Sequence, residues 1–292
     1  MDPNPQMKVN VWMITYNQEA YIGQAIESVL MQKTTFPVEM VIGEDGSKDN
    51  TRAVIQDYCT RYPGRIRLLP DVGNLGMMGN MIRTLKACNA KYVAMLEGDD
   101  YWIDEHKLQK QFDFMESHPD CSLCFHATEH RFPDPSRNYL QSEYKVDTWV
   151  GLREVILYGG SFIPTFSMFY RGEYIQNLPD WLTNAEIGDY PLGIQLALNG
   201  RVRFMVDVMG VYRRQAVGAW SSGWTWWRHK TLVFGNNRML LRVNKATRGR
   251  HFRIIALTLL QSNWGLFKAM IYSIGRPAYR YIKRRHVQYT IP

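Results

Sequence analysis

The stretch YVAMLEGDD, residues 92–100, joins an apolar run directly to three acidic residues. The apolar part has the length and composition of a strand that is buried on both faces of a sheet. Three similar runs precede it, at residues 9–14, 38–42 and 66–69. Segments with apolar residues at helical spacing lie between these runs, at residues 22–30, 54–58 and 78–85. This alternation predicts an α/β fold with a central, mostly parallel sheet flanked by helices.

The pattern continues less regularly to residue 224. Apolar runs predict further strands at residues 121–132, 166–170 and 202–212, and helical spacing predicts helices at residues 104–117, 152–158 and 191–199. The polar segment 133–147 contains two prolines and is predicted to be a loop.

The net charge of +8 is distributed unevenly. Residues 225–292 contain fourteen Lys/Arg and no Asp/Glu, whereas residues 1–224 contain twenty-one Lys/Arg against twenty-seven Asp/Glu, a net charge of −6. We therefore expect a basic, aromatic-rich helical tail. Two interpretations stay open: an amphipathic helix on an anionic membrane surface, or a helix that packs on the body with a solvated basic face. Nucleic acid is a disfavoured partner, because the acidic strand ends would repel its phosphates.

The acids collect where the predicted strands end. The first strand is followed by Thr15-Tyr16-Asn17, the second by Glu44-Asp45-Gly46-Ser47 and the fourth by Glu97-Gly98-Asp99-Asp100. In an open α/β sheet the ligand lies beyond the carboxyl ends of the strands. Acids grouped there repel one another unless a cation lies between them, and Mg²⁺ or Mn²⁺ suits oxygen ligands. The first turn, residues 16–20, has no glycine, which disfavours a dinucleotide site or a P-loop.

These segments, together with Asn74-Leu75-Gly76, resemble the nucleotide-sugar-binding half of the inverting family 2 glycosyltransferases, which have the GT-A fold. The likeness is clearest over residues 9–102 and extends more loosely to about residue 222. It implies a GT-A type, Rossmann-like domain at residues 1–224, with a nucleotide-sugar-binding half (1–103) and an acceptor-binding half (104–224), followed by the basic tail 225–292.

The resemblance also implies roles for individual residues. Asp45 would accept a hydrogen bond from the base, and Asp99 and Asp100 would hold Mn²⁺ or Mg²⁺ with the diphosphate. Asp49 is expected to cap its helix rather than bind ligand. The implied nucleotide-sugar contacts are Thr15, Tyr16, Asn17, Glu44, Asp45 and Asp99.

Inversion requires a general base on the acceptor side of the sugar. The segment Gly188-Asp189-Tyr190-Pro191-Leu192 resembles the family's base segment, which implies Asp189, with Glu186 as a weaker substitute and helix capping as the alternative role. Residues that could contact acceptor or diphosphate are Thr165, Ser167, Arg213 and Gln215. Gln215 departs from the family pattern, because many relatives have a histidine there that reaches the metal or diphosphate.

The sequence thus predicts an inverting glycosyltransferase that moves a sugar from a nucleotide-diphosphate sugar to an acceptor hydroxyl. The resemblance favours UDP and a saccharide or lipid-linked saccharide acceptor, in polysaccharide or glycolipid biosynthesis. Four cysteines, too few for a disulfide framework, and a polar N-terminal segment predict a cytoplasmic protein. The basic tail alone suggests a peripheral position on the inner face of the cell membrane. The alternative is a sugar-nucleotide-binding or scaffold protein with weakened catalysis, which the departure at Gln215 motivates.

Overall fold

The structure is a computed structural model that describes residues 8–214 and 225–265. These residues fall into two compact units, 8–214 and 225–265. The first unit is built on a ten-stranded sheet with helices packed against it, which confirms the predicted α/β class.

The first half of this unit follows the sequence prediction closely. Its elements are β1 (Val9–Thr15), α1 (Ile22–Leu30), β2 (Val38–Glu44), α2 (Thr51–Arg61), β3 (Ile66–Leu68), α3 (Gly76–Ala87) and β4 (Tyr92–Glu97). The four strands are parallel and lie in the order β3-β2-β1-β4. Thr15 pairs with Glu44 and Ile14 pairs with Glu97, so β1, β2 and β4 end side by side at one edge.

The core of this half consists of apolar side chains that alternate along the buried strands and recur along one face of α1. Val11 and Met13 of β1 are fully buried, as are Ile22 and Ile26 of α1. Such burial contributes roughly 1.5–3 kcal/mol for each large apolar side chain. The helices are thereby fixed on the sheet, and the loops at its carboxyl edge are left to form the site.

The second half continues the same sheet but mixes strand directions. Its elements are β5 (Tyr101–Trp102), α4 (Lys107–Ser117), β6 (Cys121–Arg131), β7 (Tyr139–Gln141), β8 (Thr148–Val150), α5 (Leu152–Tyr158), β9 (Phe169–Arg171), α6 (Asp180–Thr183), α7 (Asp189–Asn199) and β10 (Arg201–Arg213). The order runs β4-β9-β6-β10-β5. β9 is antiparallel to both neighbours, whereas β6 and β10 are parallel.

Several predicted boundaries differ from the structure in this half, among them the start of α4, which lies at Lys107 instead of residue 104. The segment predicted as a strand at residues 166–170 begins with a 3-10 turn, Thr165–Ser167, and its strand β9 follows at residue 169. The predicted loop 133–147 contains the short strand β7, which pairs with the end of β6. Helix α7 begins at Asp189 rather than at Pro191, so Asp189 lies in its first turn.

One ammonium group is enclosed in the core beneath the site. Lys107 at the start of α4 is fully buried, and burial lowers the pKa of its ammonium to about 7. Its Nζ donates to Gln111 Oε1 at 2.7 Å and lies 3.9 Å from the centroid of the Trp102 ring. The lysine therefore braces the strand that follows the acidic segment.

The second unit contains α8 (Trp226–Ala246) and a further helical segment at residues 252–265. A hydrogen bond from the amide of Asn237 to Asn263 Oδ1, at 3.0 Å, joins the two. Among the residues described in the structure, no helix is both long and apolar enough to cross a membrane.

Candidate active site

The loops after β1 and β2 are tied to each other by the side chains of Asn17 and Ser47. The N–H of Asn17 donates to Ser47 Oγ at 2.9 Å, and Asn17 Oδ1 accepts from the N–H of Lys48 at 2.8 Å. Asn17 has a φ of +52°, a left-handed conformation that asparagine tolerates better than most residues. These two hydrogen bonds fix the loops and leave the side chain of Tyr16 exposed.

The acids at the end of β2 are buried and bonded to the protein. Glu44 accepts from the N–H of Ser47 at 2.6 Å and pairs with Arg52 at 3.2 Å. Asp45 Oδ1 accepts from the N–H of Leu75 at 2.8 Å. Both oxygens of Glu44, a predicted nucleotide-sugar contact, have protein partners, so this residue also shapes the loop.

Unlike Glu44 and Asp45, Asp49 was expected to cap a helix. Its Oδ1 accepts from the N–H and hydroxyl of Thr51, the first residue of α2, at 3.0 and 2.6 Å. Its Oδ2 accepts from the N–H of Glu19 at 3.1 Å. Asp49 therefore bonds to the first residue of α2 from one position before the N-cap residue, Asn50.

Thr15, Gln18 and Gly98 bring the loops after β1 and β4 into close contact. Thr15 and Gln18 are buried, and the Thr15 hydroxyl donates to Gln18 Oε1 at 2.7 Å. A Cβ added at Gly98 would lie 2.5 Å from Gln18 Oε1 and 2.7 Å from Thr15 Oγ1. Residue 98 must therefore be glycine for the acidic segment to pass so close to β1.

Asp99 and Asp100 follow β4 and are both buried. Asp100 Oδ1 accepts from the N–H of Arg213 at 2.9 Å, whereas its Oδ2 is buried without a hydrogen-bond partner among the described residues. The Arg213 guanidinium donates to the carbonyl oxygen of Asp99 and to Gln24. The last residue of β10 thus holds the acidic segment in place.

Three carboxylates at the end of β4 are crowded together. Burial, together with the charges of Asp99 and Glu97, raises the pKa of Asp100 well above its usual range. Burial and the charges of Asp99 and Asp189 do the same to Glu97. Sequence analysis did not single out Glu97 as a site residue, because its interaction with Asp189 depends on the folded chain.

Asp189 lies at the N-terminus of α7, close enough to Glu97 for the two charges to interact. Burial raises the pKa of its carboxyl from 3.8 to about 6. Its Oδ1 accepts from the N–H of Tyr190 at 2.7 Å, which favours the ionised form without cancelling the cost of burial. Glu186, the weaker candidate, is exposed.

The remaining predicted contacts divide between the cleft and the core. Thr165 lies close enough to Glu97 for its side chain to oppose the rise in the pKa of that carboxyl. Ser167 is fully buried, and its hydroxyl donates to the carbonyl oxygen of Pro164 at 2.6 Å, so it stabilises the 3-10 turn instead of facing the cleft. Gln215 lies outside the described residues.

The donor set at Asp99 and Asp100 fits a hard divalent cation. Carboxylate oxygens are the ligands that Mg²⁺ and Mn²⁺ prefer, and the unpartnered Oδ2 of Asp100 is one such oxygen. Within residues 8–214 and 225–265, no cluster of three or more His, Cys, Asp or Glu side chains is arranged to hold a metal ion. Mg²⁺ is commonly bound by one or two carboxylates together with substrate phosphates.

Comparison with known families assigns the chain to one of them. The family described as glycosyl transferase family 2 matches residues 10–219, and the chain belongs to this family. The match confirms the resemblance seen in the sequence and includes every acid described above.

Individual relatives support the same assignment. The chain is 35% identical over 218 residues to Rv1520 of Mycobacterium tuberculosis, an uncharacterized protein; the match covers 74% of this chain and 62% of that one. It is 35% identical over 107 residues to WfgD of Escherichia coli, a UDP-Glc:alpha-D-GlcNAc-diphosphoundecaprenol beta-1,3-glucosyltransferase, covering 37% of this chain and 40% of that one. The chain thus spans less than two thirds of these relatives.

Solved structures share the fold. The TarS fragment 1–349 of S. aureus, crystallised with UDP-GlcNAc, superposes with a TM-score of 0.71 at 19% identity, over 92% of this chain and 76% of that one. The mannosyltransferase PcManGT of Pyrobaculum calidifontis, in complex with GDP-Man and Mn²⁺, gives a TM-score of 0.63 at 16% identity, over 98% and 81%. The GT-A fold expected from the sequence is confirmed.

Proposed function

We propose that this protein is an inverting glycosyltransferase that uses Asp189 as general base and a nucleotide-diphosphate sugar, with UDP favoured, as donor. The observation that carries the proposal is the position of the half-buried Asp189 at the start of α7, where its charge acts on Glu97 at the end of β4 and burial of the carboxyl raises its pKa to about 6. Strongly perturbed carboxyls in a cleft are typical of functional sites.

The donor would lie across the ends of β1, β2 and β4. Exposed Tyr16 and the clamped Asn17 would contact base and ribose, and Asp45 would bind the base through the oxygen that Leu75 does not use. Thr15 and Asp99 would complete this surface. The UDP-GlcNAc and UDP bound to TarS support a uridine nucleotide, and the GDP-Man of PcManGT makes GDP the alternative.

Asp99 and Asp100 would hold Mn²⁺ or Mg²⁺, and the Mn²⁺ in PcManGT supports this part of the proposal. When bound, the ion supplies positive charge beside the departing diphosphate. Arg213 holds the Asp100 carboxylate through its backbone N–H and the backbone carbonyl oxygen of Asp99 through its guanidinium.

The chemical role of Asp189 follows from its protonation state. With a pKa of about 6, the carboxyl is mostly ionised at neutral pH, yet it is basic enough to accept a proton from the attacking hydroxyl. The N–H of Tyr190 holds Oδ1, which leaves Oδ2 for the acceptor. The acceptor oxygen forms its bond to the anomeric carbon as its proton passes to Asp189, and the diphosphate leaves from the opposite face.

The acceptor would be a saccharide or lipid-linked saccharide in polysaccharide or glycolipid biosynthesis. The name of WfgD, which includes a diphosphoundecaprenol-linked acceptor, supports the lipid-linked form. A scaffold that binds sugar nucleotides without turnover is the alternative function.

Calorimetric titration of UDP, GDP and TDP, each with and without Mn²⁺, tests the donor site on the wild-type protein and on Asp100→Ala. We expect one nucleotide to bind in a Mn²⁺-dependent manner and Asp100→Ala to abolish that binding. Asp113→Ala, which removes an acid on the exposed face of α4, is the matched control.

Absence of binding by all three nucleotides would overturn the donor site. Nucleotide binding without release of nucleoside diphosphate from any UDP- or GDP-sugar would favour the scaffold function.

For the second unit we propose association with an anionic membrane surface. Exposed apolar residues on α8 recur every seven positions, at Trp227, Phe234 and Leu241, which places them on one face of the helix. Residues 225–265 also carry eight Lys/Arg and no Asp/Glu. An apolar stripe combined with basic residues is typical of helices that lie in the membrane interface.

Vesicle co-sedimentation tests this association. We expect binding to vesicles containing phosphatidylglycerol, weaker binding at high salt, and loss of binding in Phe234→Glu/Leu241→Glu. Val146→Glu changes an exposed apolar residue of the first unit and should have no effect. Equal binding by all variants would contradict the proposal.

A further inference from the structure

A compact group of aromatic rings and one guanidinium lies where β6, β7 and β10 end. We call it the Tyr139 platform: His130, Tyr139, Tyr212 and Arg214. The rings of His130 and Tyr139 stack at 4.5 Å with an interplanar angle of 10°, and Tyr212 lies tilted 5.2 Å from His130. His130 of β6 pairs in register with Tyr139 of β7 on one side and with Tyr212 of β10 on the other. The strand pairing of the sheet therefore holds the three rings together.

Arg214 is fixed against this stack. Its Nε–H donates to His130 Nδ1 at 2.9 Å, and its Nη2 donates to the Tyr139 hydroxyl at 3.0 Å. Burial and the charge of Arg214 lower the pKa of His130 to about 4, so at neutral pH the imidazole is uncharged and can accept this bond. The guanidinium is thus held in one orientation while remaining partly exposed.

The charge of Arg214 has no acidic counterpart close by. Within residues 8–214 and 225–265, no Asp or Glu oxygen lies within 4.0 Å of its guanidinium nitrogens; the neighbouring Glu129 pairs with Arg131 instead. A guanidinium has five N–H donors, and His130 and Tyr139 take only two of them. A positioned, uncompensated guanidinium is a binding group for a carboxylate or a phosphate.

The platform adjoins the acids of the site. Burial, followed by the charges of Asp100, Glu97 and Asp99, raises the pKa of Tyr212. On the other side, the Gln141 amide donates to the carbonyl oxygen of Ser161 at 2.8 Å. Gly160, which precedes Ser161 in the chain, lies beside Asp189, the proposed base. A Cβ added at Gly160 would be 3.4 Å from Asp189 Oδ1.

We propose that the Tyr139 platform is an acceptor subsite selective for anionic saccharides. The sugar ring stacks on Tyr139, a residue that stays 44% exposed between the stacked His130 and the tilted Phe132 ring, 6.2 Å away. An anionic group on that sugar, a carboxylate or a phosphate, binds Arg214. This inference deepens the proposed function and rests on it: the subsite would deliver an acceptor hydroxyl to Asp189.

Binding of three glucose derivatives tests the subsite by NMR titration, with the donor site saturated by whichever nucleoside diphosphate binds in calorimetry. Methyl β-D-glucuronide presents a carboxylate, D-glucose 1-phosphate a phosphate, and methyl β-D-glucoside no charge. We expect at least one anionic sugar to bind roughly tenfold more tightly than the neutral one, the effect of one charge-assisted contact. The anionic sugar that binds more tightly shows whether the subsite prefers a carboxylate or a phosphate.

Variants separate the two parts of the platform. Arg214→Gln should abolish the preference for the anionic sugar, Arg214→Lys should retain part of it, and Tyr139→Ala should weaken all three sugars. Arg137→Gln removes another guanidinium from the same segment, one that lies over Phe132, and should change nothing.

The outcomes are distinguishable. Equal binding of charged and neutral sugars, or an unchanged preference in Arg214→Gln, would overturn the subsite while the proposed function stands. Weaker nucleotide binding in Arg214→Gln would assign this guanidinium to the donor and also overturn it. If no nucleoside diphosphate binds, the proposed function fails and the subsite fails with it.

Discussion

Acidic side chains at the end of β2 are bonded to protein donors, whereas those at the end of β4 and the start of α7 lie close to one another. Glu44 has Ser47 and Arg52 as partners, and Asp45 has Leu75. Asp100 has one oxygen without a partner in the described residues, and Glu97 is next to other carboxylates.

The difference separates two uses of a buried carboxylate. A carboxylate with donors on both oxygens stabilises its loop, and removing its charge leaves those donors unsatisfied. A carboxylate that is buried beside other acids costs stability when ionised, and such a cost persists where the group serves binding or chemistry. Substitutions that remove charge should therefore have opposite effects in the two regions.

The largest expected effect belongs to Asp189→Asn. Loss of the base should reduce release of nucleoside diphosphate from the donor, with water or a saccharide as acceptor, by about 10²–10⁴-fold. Glu186→Gln, three residues earlier and exposed, is the matched control and should retain activity. A fully active Asp189→Asn protein would remove the base from the mechanism.

The same substitution should make the fold more stable. The folded-state pKa of Asp189 is raised from 3.8 to about 6, so the wild-type carboxyl contributes stability at low pH that is lost as the pH rises through about 6. Asparagine is neutral throughout. We expect chemical denaturation to show a gain of roughly 1–3 kcal/mol at pH 7.5 and little gain near pH 4. A loss of stability at pH 7.5 would contradict the comparison.

Next in size is the pH dependence of the wild-type rate. Because protonated Asp189 cannot accept a proton, kcat/KM should fall about tenfold per pH unit below about pH 6 and level off above it. Measuring kcat/KM between pH 4.5 and 8 checks this. A rate that is flat through pH 6 would mean that another group takes the proton.

A change in stability of the opposite sign, without a change in rate, is expected for Glu44→Gln. The amide would place an NH₂ against Arg52, which sits 3.2 Å from the wild-type oxygen. We expect a loss of roughly 1–3 kcal/mol in the free energy of unfolding, with kcat retained. Urea denaturation and nucleoside diphosphate release measure the two quantities. A stabilised Glu44→Gln protein would show that the two regions do not differ as described.

The sequence predicted the sheet where strands are long and apolar. β1, β2, β3 and β4 lie within a residue or two of their predicted bounds, because burial on both faces leaves a continuous apolar run. β7 was missed because it has three residues, two of them exposed, and therefore no apolar pattern. β9 begins later in the structure than the sequence predicts, because the apolar run from which it was predicted also covers a buried 3-10 turn.

The predicted strand ends were sufficient to place the acidic residues of the site, but not to identify the side chains that they contact. That Asp45, Asp99 and Asp100 lie at one edge follows from the parallel order of β1, β2 and β4. The engagement of Glu44 by Arg52, the burial of Ser167 and the stacking of His130 on Tyr139 depend on residues brought together only by packing. Such contacts leave no periodic signal in a single sequence.

The enclosed ammonium of Lys107 is relevant to protein engineering. Lys107→Met would keep a long, flexible side chain beside Trp102 and remove the group whose burial is costly. The same substitution would leave the buried Gln111 Oε1 without its donor, which costs stability. The change in melting temperature would therefore measure the balance between the two, and with it what one enclosed charge means for the heat resistance of the domain.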